Sequence, residues 1–402
     1  MGATTKIKPG YKVTKAGRIP DDWEISSLDD AAEFLDGKRK PIKEKDRELM
    51  KGEYPYYGAS GIIDYVNDFI FDDNLILLGE DGANILTRST QLAFQVLGKF
   101  WVNNHAHVLK PKDEFNIGYL TEYLESINYV KYNSGTAQPK LNKQICAKIP
   151  IVKPPLPEQK KIADILSTWD KAIETTQALV HKLKLRKKGL MQQLLTGKKR
   201  LPGFKGEWEE CVFSDVSNRL TKKNTELDDN VITISAQRGF IRQEDYFNKR
   251  VASKTLSGYY LIDKGQFAYN KSYSKGYPMG AFKRLDDFDK AVVTTLYICF
   301  EITEKANSDF MVYYFEGGML VRNLMKIAQE GGRAHGLLNI SLGDFFGLKM
   351  TLPSTEEQTA IAQVLTKADE EINRTQNYLE QLQEQKKGLM QQLLTGQRRV
   401  VV

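Results

Sequence analysis

The chain has 402 residues, 41% of them hydrophobic and 27% charged, with a formal net charge of +7. That is enough apolar material for two globular cores, while no apolar run nears the roughly 18 residues that a membrane helix needs. Cys146, Cys211 and Cys299 lie far apart, with no CxxC pair and no Cys/His cluster, which argues against a disulfide framework or a zinc site and suits a reducing cytoplasm.

In chain order, the N-terminal stretch MGATTKIKPGYKVTK lacks the apolar core of a secretion signal, so a soluble cytoplasmic protein is expected. A first globular region (residues 1–153, core from Ile19 to Ile151) opens with Pro20 and Trp23 and carries β-rich runs such as Asn74 to Leu78. It closes with a glycine-led segment, Ser134 to Asn142. Pro154, Pro155 and Pro157 then stop it, Glu158 sits where a helix macrodipole favours an acid, and Gly197 is placed to end the helix. A helix from Glu158 to Leu195 would run about 57 Å at roughly 1.5 Å per residue, the length of a spacer (region 154–198). The second globular region (199–353, core from Leu201 to Leu352) repeats the plan: Leu201-Pro202, then Trp208, a β-rich run Ala291 to Phe300, and a glycine-led segment Gly331 to Asn339. A second helical region, 354–402, ends the chain.

The two helical regions are copies of one another. KKGLMQQLLTG occurs at Lys187–Gly197 and again at Lys386–Gly396, and the same offset aligns Gln159 with Gln358, Asp170 with Asp369 and Gln177 with Gln376. Apolar residues recur in steps of four and three: Ile162, Leu166, Trp169, Ile173, Val180, Leu183, Leu190 and Leu194, matched by Ile361, Leu365, Ala368, Ile372, Leu379, Leu382, Leu389 and Leu393. This is a heptad seam. Its interruptions match too, with Thr176 and Lys187 against Thr375 and Lys386, and polar seam residues penalise misaligned pairing. The pattern therefore predicts two helices that pair with each other, although two helices packed separately on their own domains would carry the same periodicity.

Basic clusters at Lys38-Arg39-Lys40, Lys182 to Lys188, Lys198-Lys199-Arg200 and Lys222-Lys223 could supply phosphate contacts, or could merely be solvated faces. Base reading needs planar donors and acceptors on reachable loops. The glycine-led segments offer Thr136, Gln138, Lys140 and Asn142 in the first region and Arg333, His335 and Asn339 in the second. Further candidates are Asn103, Asn104, His105 and His107, and the run containing Lys271, Tyr273, Ser274, Lys275 and Tyr277, which interleaves basic, hydroxyl and aromatic groups. Asn and Gly are also ordinary turn residues, and His-x-His can simply end a strand.

No catalytic or metal-ligating residues are expected. The Pro-Pro pair Pro154-Pro155 is flanked by Lys153 and Leu156, not by the Asn/Asp and aromatic residue of an amino-methyltransferase, and no phosphate-binding G-x-x-x-x-G-K-[ST] loop occurs. Gly79 to Gly82 reads as an acidic turn.

Two divergent α/β globules, each followed by a long helix, with the KKGLMQQLLTG ending, the Leu201–Phe204 and Trp208 restart and the helix opening from Pro157 to Ala163, closely resemble the DNA specificity subunit of Type I restriction-modification systems. The resemblance spans Arg18 to Gly396; the second helix opening departs slightly, with Glu356-Glu357-Gln358 lacking the preceding proline. It implies an α+β or α/β fold, with two target recognition domains separated by two long antiparallel coiled-coil helices in a pseudo-twofold tandem repeat. Each domain would read half of a bipartite asymmetric site in double-stranded DNA. The helices would act as a ruler and dock two adenine-N6 methyltransferase subunits, which two restriction/translocase subunits can join. S-adenosylmethionine, ATP and Mg are implied for those partners and no cofactor for this chain. A sequence-specific regulator, or a coiled-coil scaffold without methyltransferase partners, are the alternatives.

Overall fold

The computed structural model describes residues 9–249, 251–253, 255–328 and 338–402. They form two compact units that do not follow chain order: Met1–Ala178 with Gln376–Val402, and Leu179–Thr375. Each unit thus takes the front of one long helix and the back of the other. The helices run Leu156–Leu194 and Thr355–Leu394, 39 and 40 residues, and end at Gly197 and Gly396, whose φ of +68° lies in the left-handed region that glycine enters without a Cβ clash.

In the first unit a six-stranded sheet has the order Ala32–Phe34, Ala106–Pro111, Phe71–Gly79, Ala93–Val102, Lys51–Gly58, Gly61–Val66. All neighbours are antiparallel except Lys51–Gly58 against Ala93–Val102. The central strand is buried on both faces at Leu75 to Leu78, which explains its unbroken apolar run. The second unit holds a four-stranded sheet ordered Ser217–Leu220, Ile298–Ile302, Phe267–Asn270, Ala281–Arg284, with hairpins and pairs beside it. Its core is a stack of rings in which Phe282 lies 4.4 Å from both Tyr269 and Phe315. Both domains open and close at one place: Glu24–Ser27 pairs with Pro150–Lys153, and Glu209–Val212 with Lys349–Leu352.

The heptad seam is buried into these cores. Ile162, Leu166 and Leu393 join the first core, and Leu194, Ile361 and Leu365 the second. Its polar interruptions are satisfied rather than merely tolerated. Thr176 and Thr375 each donate to the carbonyl four residues back, at 2.7 Å. Lys386 Nζ meets Asp170 Oδ1 at 2.7 Å in the first unit, and Lys187 Nζ meets Asp369 Oδ1 at 2.6 Å in the second. Within each unit these pairs fix two antiparallel helical segments in register. A third partner differs between the units. Lys386 also lies 2.9 Å from Glu122 Oε2, whereas Lys187 stands 5.1 Å over the ring of Tyr313, whose hydroxyl donates to Asp369 at 2.9 Å.

The helix ends are clamped by a second duplicated pair. Arg399 donates to buried Glu158 at 2.7 and 2.8 Å, and Arg200 binds buried Glu357 through Nε at 2.6 Å and Nη2 at 2.5 Å. Arg399 lies over Trp23 and Arg200 over Trp208, so the tryptophan that opens each domain seats the arginine that closes a helix. The glutamine next to each acid is equally fixed: Gln159 accepts from Asn116 N and donates to Pro154 O, as Gln358 accepts from Asn307 N and donates to Pro353 O. No described helix is long and apolar enough to cross a membrane.

Candidate nucleic-acid interface

The glycine-led segment of the first domain is a closed loop with a protruding tip. Asn133 Oδ1 accepts from Gly135 N at 3.0 Å and Lys140 N at 2.9 Å, and Ser134 N donates to Lys140 O at 2.8 Å. A Cβ on Gly135 would overlap the Gln138 carbonyl, so the loop closes only around glycine. Thr136 and Gln138 project from it, exposed.

Beneath that loop lies a charged network centred on Glu80. Arg39 donates to Glu80 Oε2 at 2.6 Å and to Ala106 O at 2.8 Å, while Lys140 Nζ lies 3.3 Å from Glu80 Oε1. Leu141 N donates to Glu80 O at 2.7 Å and Glu80 N to His105 O at 2.8 Å. His107 is only 1% exposed and holds the loop's far end: Nδ1 lies 2.7 Å from Asp36 Oδ2 and Nε2 lies 2.7 Å from Leu141 O. A backbone carbonyl only accepts, so Nε2 carries a proton, and the Asp36 carboxylate favours a second on Nδ1. Burial opposes a charged ring, but the hydrogen bonds to Asp36 and Cys146 and the charge beside it prevail and push the His107 pKa up to about 10.

Burial therefore removes His107 from direct base contact; it positions the loop instead. Asn103 is also buried, its Oδ1 accepting from His105 N, and Asn142 caps the helix Lys143–Cys146 through Ile145 N. Arg39 is committed to Glu80. Lys38, Lys40, Asn104 and His105 remain exposed, His105 beside Asp81 at 2.9 Å and Lys140 with half its side chain free.

In the second domain Tyr273 and Lys275 are exposed, Ser274 and Tyr277 exchange backbone hydrogen bonds that close a turn, and Lys271 O accepts from Leu338 N at 3.0 Å. The run 271–277 and the end of the glycine-led segment are thus brought together, and Asn339 next to Leu338 is exposed. Arg333 and His335 lie outside the described residues. Lys222 and Lys223 are otherwise engaged: Lys222 pairs with Glu226 at 3.0 Å, and Lys223 donates to Gly258 O and stands over Tyr260. Among the described residues no group of three or more His, Cys, Asp and Glu could hold a metal ion, and Cys146, Cys211 and Cys299 are free thiols. Sequence reasoning missed Glu80 and Asp36 as anchors; Glu80 meets Arg39 41 residues away, and Asp36 meets His107 71 residues away.

Residues 20–185 match the family model of the Type I restriction modification DNA specificity domain. Along that stretch the chain is similar to the Type I restriction-modification specificity subunits. The MjaVIII specificity subunit of Methanocaldococcus jannaschii is 29% identical over 97% of this chain and 96% of its own length. A Type I restriction enzyme specificity subunit of Haemophilus influenzae is 39% identical over 144 residues, 36% of each protein. The crystal structure of a Type-I restriction-modification system S subunit from M. genitalium shares the fold, with a TM-score of 0.58 at 14% identity, covering 96% of this chain and 99% of that one.

Proposed function

We propose that this chain is a Type I specificity subunit that reads a bipartite, asymmetric site in duplex DNA, one half through each domain, and docks two adenine-N6 methyltransferase subunits on its long helices. What carries the reading is a contrast within the chain. The pairs that fix the helices, Lys386–Asp170 with Lys187–Asp369 and Arg399–Glu158 with Arg200–Glu357, occur twice in equivalent places. The described exposed loop residues differ, Thr136 and Gln138 in the first domain against Tyr273 and Lys275 in the second. Two identical partners need two equivalent docking surfaces, and two different half-sites need two different reading surfaces. The regulator and scaffold alternatives have no use for both features together.

In this reading the partners supply the chemistry: S-adenosylmethionine for methyl transfer, and ATP with Mg where restriction/translocase subunits join. The test is a domain exchange in the assembled system. Replacing Pro20 to Ile149 with the equivalent domain of a relative should change one half of the mapped N6-methyladenine motif and leave the other intact; a change in both halves would refute independent reading. Native mass spectrometry should find two methyltransferase subunits per chain at saturation, and one would refute the docking.

A further inference from the structure

Both domains bring a hairpin tip onto the same set of loops. In the first, the tip Gly58-Ala59-Ser60-Gly61 touches Gly79, next to Glu80 and the glycine-led loop, and Asn103 N donates to Tyr57 O at 3.1 Å. In the second, the strands Ile232–Ser235 and Gly239–Arg242 are joined by Ala236-Gln237-Arg238. Gln237 Nε2 donates to Lys275 O at 3.0 Å, so this tip is tied to the loop whose Lys271 O holds Leu338. Each tip ends on a glycine of positive φ, Gly61 at +127° and Gly239 at +81°. The backbone placement corresponds, but the cargo does not: Ala59 and Ser60 stand where the second domain carries Gln237 and Arg238.

We propose that Gln237 and Arg238 are specificity-determining residues that read base edges in the second domain's half-site. Gln and Arg are two of the side chains that meet a base by two parallel hydrogen bonds, Gln with adenine and Arg with guanine. Both are exposed. Arg238 makes no ion pair among the described residues, and its guanidinium rests 5.8 Å over the ring of Tyr246, which supports the fork without consuming its donors. Gln237 spends one N–H on Lys275 O, which orients the amide and leaves its oxygen and second N–H outward. The neighbouring exposed Tyr273 and Lys275 add the aromatic and cationic surface that suits a nucleic-acid backbone. In the first domain the equivalent tip carries Ala59 and Ser60, neither of which offers a planar fork, so reading there falls to the loop carrying Gln138.

This assignment rests on the reading of the chain as a two-domain DNA reader, and one selection experiment separates the two. The full-length chain is challenged with a random duplex library, followed by titration of the enriched duplex and of an unselected duplex. Gln237→Ala and Arg238→Ala should each erase the preference at one or two positions in one half of the motif. Affinity for the selected duplex should fall about tenfold to a hundredfold, with affinity for the unselected duplex unchanged within about threefold. Arg238→Lys keeps the charge but not the fork, so it should lose the base preference as Arg238→Ala does. If the wild-type motif survives all three substitutions, or if Arg238→Lys restores it, the assignment is overturned while the two-domain reading stands. If the wild-type chain enriches no two-part motif, both fall.

Discussion

Glu122 offers the sharpest test of the duplicated helix clamp, because it breaks the symmetry between the units. Where the second unit sets the neutral Tyr313 hydroxyl against Asp369, the first sets a second carboxyl against Asp170 and Lys386. Burial pushes the Glu122 pKa up to about 7, against the lowering effect of Lys386, and the nearby Asp170 charge adds to the rise. In the unfolded chain the group titrates near 4.5, so between pH 4.5 and about 7 the folded state holds a proton that the unfolded state has released. Stability of the first unit is therefore greatest below 4.5 as far as this group is concerned, and falls as pH rises to about 7. At about 1.4 kcal/mol per pK unit the loss is on the order of 3 kcal/mol. Glu122→Gln keeps the shape, donates to Asp170 and carries no charge, so its urea-unfolding free energy should lack this slope and exceed the wild-type value by roughly 3 kcal/mol at pH 8. Tryptophan fluorescence reports it, since Trp23, Trp101 and Trp169 belong to the first unit. If wild type and variant change in parallel from pH 4.5 to 8, Glu122 does not carry the proton and the argument fails.

Three further outcomes are expected. His107→Gln removes the cation hydrogen-bonded to Asp36, leaving Arg39 3.6 Å away, and should cost on the order of 3 kcal/mol near neutral pH; since the His107 pKa is raised to about 10, the wild-type advantage in denaturant melts should be full below pH 6.5 and vanish as pH rises through 10. Gly135→Ala should open the loop between Ser134 and Lys140, weakening binding to the selected duplex about tenfold or more in titrations while non-specific binding is retained, because only base contacts depend on the loop's shape. Adding seven residues after Gln177 and after Gln376 lengthens each helix by about 10.5 Å at roughly 1.5 Å per residue. At about 3.4 Å per base pair, methylation mapping should then show a gap about three base pairs longer between unchanged half-sites. The second half-site also turns by roughly 100° at about 10.5 base pairs per turn, which lowers activity unless DNA twist compensates. An active variant with its original gap would show that the helices dock partners without measuring DNA.

What could be read from the sequence was what repeats locally. The seam residues Ile162, Leu166, Ile361 and Leu365 announce their burial by spacing alone, and Gly197 and Gly396 mark helix ends because a glycine there has a local backbone reason. Side-chain direction in the loops was not legible in that way. His105 and His107 are two residues apart around the start of a strand, yet one meets solvent beside Asp81 and the other is sealed against Asp36. In Lys38-Arg39-Lys40 the middle cation turns inward to Glu80 while its neighbours stay out. Arg39 also bonds Asp36 three residues back, but Glu80 and the Ala106 carbonyl that draw it inward are brought in by the sheet. The duplicated helices nevertheless held long-range information in a usable form. Each unit joins the front of one copy to the back of the other, so the acids present in both copies have their partners in the opposite copy: Glu158 and Glu357 with Arg399 and Arg200, Asp170 and Asp369 with Lys386 and Lys187. Charges found in only one copy, such as Lys182 and Lys184 against Gln381 and Gln383, are under no such constraint. In this tandem chain, the acids shared by both helices mark the clamp.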